Sequence, residues 1–225
     1  MIGIAFYCFI YTVLFLFRKL WVRWNVDGRE NLPPRGKGIV IAVNHISYID
    51  TLILGGTMPL SHRLTWIAKS EIFAHPILAW FFRQMLVIPI MRGQADRHAF
   101  AAAKTALEQG AVLAVFAEGH RSGDGGLIEG QGGAVRLAVR TNSQIIPVAI
   151  WGTENGLGGA FRRKPINVRI GKPYFPKLAD ATNQRQSWDQ LTEEMMLRIA
   201  ALLPEKYWGI YREQMKLAMP NLNFA

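Results

Sequence analysis

An α/β domain with a mostly parallel central sheet flanked by helices is what this sequence predicts, and three observations predict it. Short apolar runs recur along the chain at Ile39–Val43, Leu64–Ala68, Leu86–Ile90, Ala111–Phe116 and Ile145–Trp151. Runs of that length read as strands covered on both faces. Helix-type stretches fall between them at Thr51–Met58, Pro76–Arg83, Ala95–Gln109 and Ala134–Arg140, and such alternation is how parallel crossovers are written. The chain has 225 residues, half of them hydrophobic, which is enough for one sizeable core and argues against disorder.

From Ile2 to Phe17 no residue is charged, and Phe, Tyr, Ile and Leu dominate. As a helix this run reaches about 24 Å, short of the roughly 30 Å hydrocarbon core of a bilayer. No basic region precedes it and no small-residue cleavage site follows, so it does not read as a signal peptide. Arg18, Lys19 and Arg23 come next, interleaved with Trp21 and Trp24, a composition suited to a membrane–water interface. Residues 1–24 are therefore expected to form an apolar membrane-anchoring helix on the cytoplasmic face of the cell membrane, and residues 25–225 the domain it carries. A buried core helix is the alternative, and the length leaves open whether the anchor spans or dips into one leaflet.

Asn25–Gly28, Pro33-Pro34 and Arg35–Gly38 make a turn-rich lead into the domain. Pro76 suits the first turn of its helix, and Gly110 is a C-cap signal for the alanine-rich helix before it. A glycine-heavy loop runs from the fourth strand to Gly133. Asn167–Ile170 reads as a further strand, and Ser187–Leu203 and Glu205–Met215 as helices separated by Pro204.

Lys and Arg total 26 against 16 Asp and Glu, a net charge of +10. That balance favours an anionic partner: nucleic acid, an acidic bilayer surface, or a phosphorylated substrate. The positive residues are dispersed, with no zinc-finger spacing and no basic heptad region, so nucleic acid is not the expected partner. Cys8 is the single cysteine, which excludes an intramolecular disulfide and a cysteine zinc cage. His62, His75 and His98 have no partners at metal-ligand spacing; they read as structural, and no metal is expected.

The stretch Val43-Asn44-His45-Ile46-Ser47-Tyr48-Ile49-Asp50 carries the chemistry. On one continuous helix residues five apart lie about 140° around the axis, so His45 and Asp50 would not share a face. They meet if His45 stands in the turn after the first strand and Asp50 opens the next helix. A carboxylate there fixes the imidazole tautomer and raises its basicity, giving a general base. Ser47-x-x-Asp50 also has capping-box spacing, with Ser47 as N-cap. Arg92 follows the third strand and Glu118-Gly119-His120-Arg121 the fourth, at the carboxyl edge where open parallel sheets bind ligands. The glycine loop lacks the Lys-Ser/Thr of a P-loop and no G-x-G-x-x-G occurs. Arginine forks, from Arg92 and Arg121, are the better phosphate ligands.

Asn44-His45 with Asp50 resembles the N-H-x-x-x-x-D motif of the 1-acyl-glycerol-3-phosphate (lysophosphatidate) acyltransferase family of glycerolipid acyltransferases. Leu86–Arg92 is similar to that family's second motif, although Leu86 stands where glycine is usual. Phe116-Ala117-Glu118-Gly119-His120-Arg121-Ser122 resembles F-P-E-G-T-R-S, with Ala117 for proline and His120 for threonine. Ile146-Pro147-Val148-Ala149-Ile150 resembles the fourth motif. The similarity covers about Gly28 to Ile170, with the motifs in order. It implies acyl transfer to the sn-2 hydroxyl of a lysophospholipid, with acyl-CoA or acyl carrier protein as donor substrate and no cofactor. By the same resemblance His45 is the general base, Asp50 orients it, and Glu118, Gly119, Arg121 and Arg92 hold the glycerol phosphate. Asn44 belongs to the first motif and counts among the substrate-binding positions, and Pro147 shapes one end of the cleft. Arg162-Arg163-Lys164 is a patch suited to either acidic donor. Two other readings stand beside this one: the same fold acting on a different lyso-lipid, and a non-catalytic membrane-binding module.

Overall fold

A computed structural model describes residues 2–90, 97–178 and 184–218. Seven strands form one sheet: β1 (Trp24–Asp27), β2 (Ile39–Val43), β3 (Leu64–Lys69), β4 (Val87–Ile90), β5 (Val112–Phe116), β6 (Gln144–Trp151) and β7 (Ile166–Ile170). Their order is β1-β7-β6-β2-β5-β3-β4. Every pair is parallel except β6 with β7, so β7 and β1 run against the other five. Central β2 is buried at all five positions, which is why it reads as an unbroken Ile-Val-Ile-Ala-Val run and not an alternating one.

Alternate residues of β2 serve two separate cores. Val40 and Ala42 join the face covered by α4 (Arg97–Glu108), α5 (Gly133–Thr141) and α7 (Gln184–Leu202). Ile39, Ile41 and Val43 join the face covered by α2 (Asp50–Thr57) and α6 (Gly156–Phe161). The N-terminal helix α1 (Ile2–Leu20) packs on this second side, against α2 and α3 (Pro76–Gln84). Phe6 meets Trp80 and Phe81 edge-on at 5.3 and 5.5 Å, and the Tyr7 hydroxyl accepts from the Leu64 N–H at 3.3 Å. Among the described residues no helix is long and apolar enough to cross a membrane.

Several local expectations change. Trp24 opens the edge strand β1 instead of ending the N-terminal segment, because its register with Ile166 on β7 outweighs the turn-forming Asn25–Gly28 sequence. Leu86 is not the first residue of β4: it sits at φ 57, in the left-handed region that glycine tolerates best. The glycine usual in the family would adopt this turn without strain. Gly110 does close α4, at φ 79. The predicted helix Glu205–Met215 divides into two 3₁₀ turns, Glu205–Tyr207 and Gly209–Tyr211, and then α8 (Arg212–Ala218). The break lies at Gly209, φ 52, where a Cβ would stand 2.0 Å from the Leu127 carbonyl oxygen.

Candidate functional site

His45 lies just beyond β2, where the crossover after β2 leads through α2 to β3 on one face of the sheet and that after neighbouring β5 leads through α5 to β6 on the other. This is the switch point at which doubly wound sheets open a crevice. Two main-chain bonds extend the β2–β5 pairing past the strand ends: Ala117 N donates to Val43 O at 2.8 Å, and Ser122 N to His45 O at 2.9 Å. A proline at position 117 would lack the first of these donors. On the other side Asn44, 1 % exposed, bridges to β6. Its amide donates to Ile150 O at 2.8 Å and accepts from Ile150 N at 2.7 Å. Asn44, expected among the substrate contacts, here acts as an extra rung of the sheet.

The turn bends so that Asp50, the first residue of α2, reaches back. Its Oδ2 lies 3.0 Å from His45 Nδ1 and accepts the N–H groups of Ile46 and Ser47, each at 2.7 Å. Asp50 is wholly buried, and its three donors fix the carboxylate as they would an anion. Ser47 therefore donates its N–H to Asp50, and no side-chain cap bond forms at the start of α2. With Nδ1 against a carboxylate, the neutral imidazole carries its proton there and leaves Nε2 as the basic nitrogen. The ring stacks on Phe116, 3.8 Å between centroids and 18° from parallel.

Glu118 is placed differently from the expectation that it holds the glycerol phosphate. It is 1 % exposed; Oε2 accepts the His45 N–H at 2.6 Å and Oε1 the Ile128 N–H at 3.1 Å. Both oxygens thus face main chain, and the side chain ties the glycine-rich loop to the turn bearing the base. Burial pushes its carboxyl up to about 7, against the lowering effect of those two N–H donors, with Asp50 and Asp124 raising it further. The loop is braced from behind by the C-terminal segment. Leu127 N donates to Tyr207 O at 2.9 Å, Ile210 N to Leu127 O at 3.1 Å, and Gly130 N to the Tyr211 hydroxyl at 3.0 Å.

A cavity of about 650 Å³ includes His45, Phe116, Gly119 and Gln131, with Ile67, Phe100 and Leu137 among its apolar walls. Gly119 stands at φ 72, a conformation that favours glycine, and a Cβ there would make a tight 3.1 Å contact with Gln131 Cγ. A second, apolar cavity of about 260 Å³ lies towards α1 and shares Ile67, Ala68 and Phe116 with the first. Arg121 and His120 are exposed on the loop, and Arg121 does not line the larger cavity. Pro147 is buried in β6, in register with Ala42, and lines neither cavity. Its carbonyl accepts from Gly171 N at 2.8 Å, so its missing N–H faces the end of the β6–β7 ladder, where little pairing is lost. Arg92 lies outside the described residues. Arg162, Arg163 and Lys164 are exposed after α6. His62 is bonded to Pro33 O at 2.8 Å and Ser61 Oγ at 3.0 Å.

Sequence reasoning missed Phe116 as the platform under the base, although its parallel register with Val43 follows once the two strands are adjacent. Ile128 left no signal, because it contributes a main-chain N–H.

The sequence profile of the Acyltransferase family matches residues 23–151, which contain the His45–Asp50 turn and the Glu118 loop. A chloroplastic 1-acyl-sn-glycerol-3-phosphate acyltransferase of Arabidopsis thaliana is 32% identical over 178 residues, covering 72% of this chain and 49% of its own. The chain thus spans about half the length of such curated relatives. A Bacillus subtilis 1-acyl-sn-glycerol-3-phosphate acyltransferase is 25% identical over 179 residues, covering 79% of this chain and 87% of its own. The crystal structure of a 1-acyl-sn-glycerophosphate acyltransferase from Thermotoga maritima superposes with a TM-score of 0.65 at 22% identity, over 96% of this chain and 83% of that one. The fold is therefore shared with a solved acyltransferase, and the profile covers the turn that holds the imidazole–carboxylate pair. On these grounds the chain belongs to the acyltransferase family.

Proposed function

We propose that this protein transfers a fatty acyl group from a thioester, acyl-CoA or acyl carrier protein, to the sn-2 hydroxyl of 1-acyl-glycerol-3-phosphate, forming phosphatidic acid for phospholipid biosynthesis. The observation that carries this reading is the His45–Asp50 pair at 3.0 Å beside a largely apolar cavity. His45 Nε2 takes the hydroxyl proton as the acceptor oxygen bonds to the thioester carbonyl carbon. Asp50 stabilises the imidazolium that results. The tetrahedral intermediate collapses with cleavage of the C–S bond, and the imidazolium returns its proton to the departing thiolate. Such general-base assistance contributes about 10²–10⁴-fold. No protein nucleophile is needed, and Cys8 lies on α1, not in the lining of the His45 cavity.

Membrane association belongs to the same reading. Phe9, Val13, Leu16, Leu20 and Trp21 on and after α1, and Ile77, Leu78 and Trp80 on α3, are exposed. Two packed helices with outward apolar faces, next to Arg18, Lys19 and Arg23, suit one leaflet of an anionic bilayer, where the acceptor resides. A panel of acceptors tests the whole reading. Purified protein in detergent, given acyl-CoA, should release thiol with lysophosphatidate and form phosphatidic acid. Faster turnover with a lysophospholipid bearing a full head group would transfer the assignment to that acceptor, and no release with any acceptor would refute it.

A further inference from the structure

Three arginines outside every motif named above line the cavity that contains His45: Arg97 on α4, and Arg136 and Arg140 on α5. Because α4 and α5 each lead into a strand of the parallel set, both helices start at the carboxyl edge of the sheet, where His45 stands. Arg136 and Arg140 are four residues apart and share one helical face, separated by about 6 Å along the axis. The Arg140 guanidinium lies over the Phe100 ring at 5.2 Å, which directs it along the cavity wall. Like charges at this spacing disfavour a helix unless something compensates them. No carboxylate does so here: among the described residues none of the ion pairs involves Arg97, Arg136 or Arg140. The walls between them, Phe100, Ala103 and Leu137, are apolar, and the three arginines are solvent-exposed, within reach of an incoming anion.

We infer that Arg97, Arg136 and Arg140 form a phosphate-binding subsite in the His45 cavity, occupied by a phosphate group of one of the two substrates. It deepens the acyl-transfer reading, since a phosphate bound there lies in the cavity that His45 also lines. Guanidinium groups are suited to this because their paired N–H donors match phosphate oxygens, and a row of them accommodates more than one phosphate. Phosphate is carried by both candidate substrates: by coenzyme A on the donor side and by lysophosphatidate on the acceptor side.

Binding, not turnover, provides the test, so that its outcome is independent of whether acyl transfer occurs. Full-length protein in detergent is titrated calorimetrically with two pairs of ligands: coenzyme A against phosphate-free pantetheine, and lysophosphatidate against phosphate-free 1-acylglycerol. Wild type should bind at least one phosphate-bearing ligand more tightly than its partner. The double variant R136Q/R140Q should weaken that ligand by about tenfold or more and leave the phosphate-free one unchanged, as expected for loss of charge-assisted bonds. R136K/R140K should recover part of the loss, and R97Q should weaken the same ligand. Selective loss of coenzyme A assigns the subsite to the donor, and selective loss of lysophosphatidate to the acceptor. Wild-type affinity in the double variant, equal losses within a pair, or no preference for phosphate in wild type would each overturn the inference.

Discussion

Asp50 and Glu118 are both buried acids bonded to the same residue, yet Asp50 meets His45 at ring Nδ1 whereas Glu118 meets it at the main-chain N–H. Asp50 sits within the turn it organises, four and three residues from the N–H groups it accepts. Glu118 comes from the loop after β5 and joins His45 to Ile128. The first carboxylate fixes the tautomer and orientation of the ring; the second sets position. Two acids of one site, equally prominent in sequence, thus divide chemistry from scaffold, and the division follows from which atoms of His45 each can reach.

Substitutions can break that division or sharpen it. Asp50→Asn keeps an oxygen for the N–H groups of Ile46 and Ser47 but removes the charge facing Nδ1. Turnover should fall by about 10²-fold or more with little change in substrate KM, as steady-state thiol release would show. A change confined to KM would break the comparison. Glu118→Gln should act through position. A carboxamide has one oxygen, so either the His45 or the Ile128 N–H loses its acceptor, at a cost of about 1–3 kcal/mol in stability. Turnover should drop by less than in D50N.

The same variant has a distinct pH signature. The folded-state pKa of Glu118 is raised, from 4.5 to about 7, so the native state holds this proton more tightly than the unfolded chain. Its contribution to stability is complete below the ordinary carboxyl value and is lost as pH rises through about 7. Thermal unfolding of wild type should therefore show a decline across that window which E118Q lacks. Tyr211→Phe removes the acceptor of the Gly130 N–H. It should cost about 1 kcal/mol and lower turnover modestly through the loop, a loss measurable by denaturant titration alongside kinetics. Smallest of all, Leu86→Gly relieves a left-handed leucine. Its stability change should stay within about 1 kcal/mol, since relief of strain offsets the extra freedom of unfolded glycine.

The parallel sheet was legible because β2, β5 and β6 are continuous apolar runs bounded by turn residues. The edge strand β1 was not, since Trp24–Asp27 becomes a strand only through its register with Ile166–Arg169. At the site, the His45–Asp50 meeting was legible from spacing, because it depends on one local turn. The roles of Asn44 and Glu118 were not, since both depend on main-chain atoms of Ile150 and Ile128, brought near by the fold and carrying no side-chain signature. Gly209 illustrates the same limit: its helix-like surroundings gave no sign of the Leu127 backbone that forbids a Cβ there.

The role of His45 is tested most directly by thiol release from acyl-CoA with lysophosphatidate as acceptor, measured for wild type and for His45→Ala. The proposed mechanism requires turnover in the variant to fall by at least about 10²-fold, with circular dichroism and thermal unfolding showing an intact fold. Turnover equal to wild type in a folded H45A protein would contradict the assignment of His45 as the base.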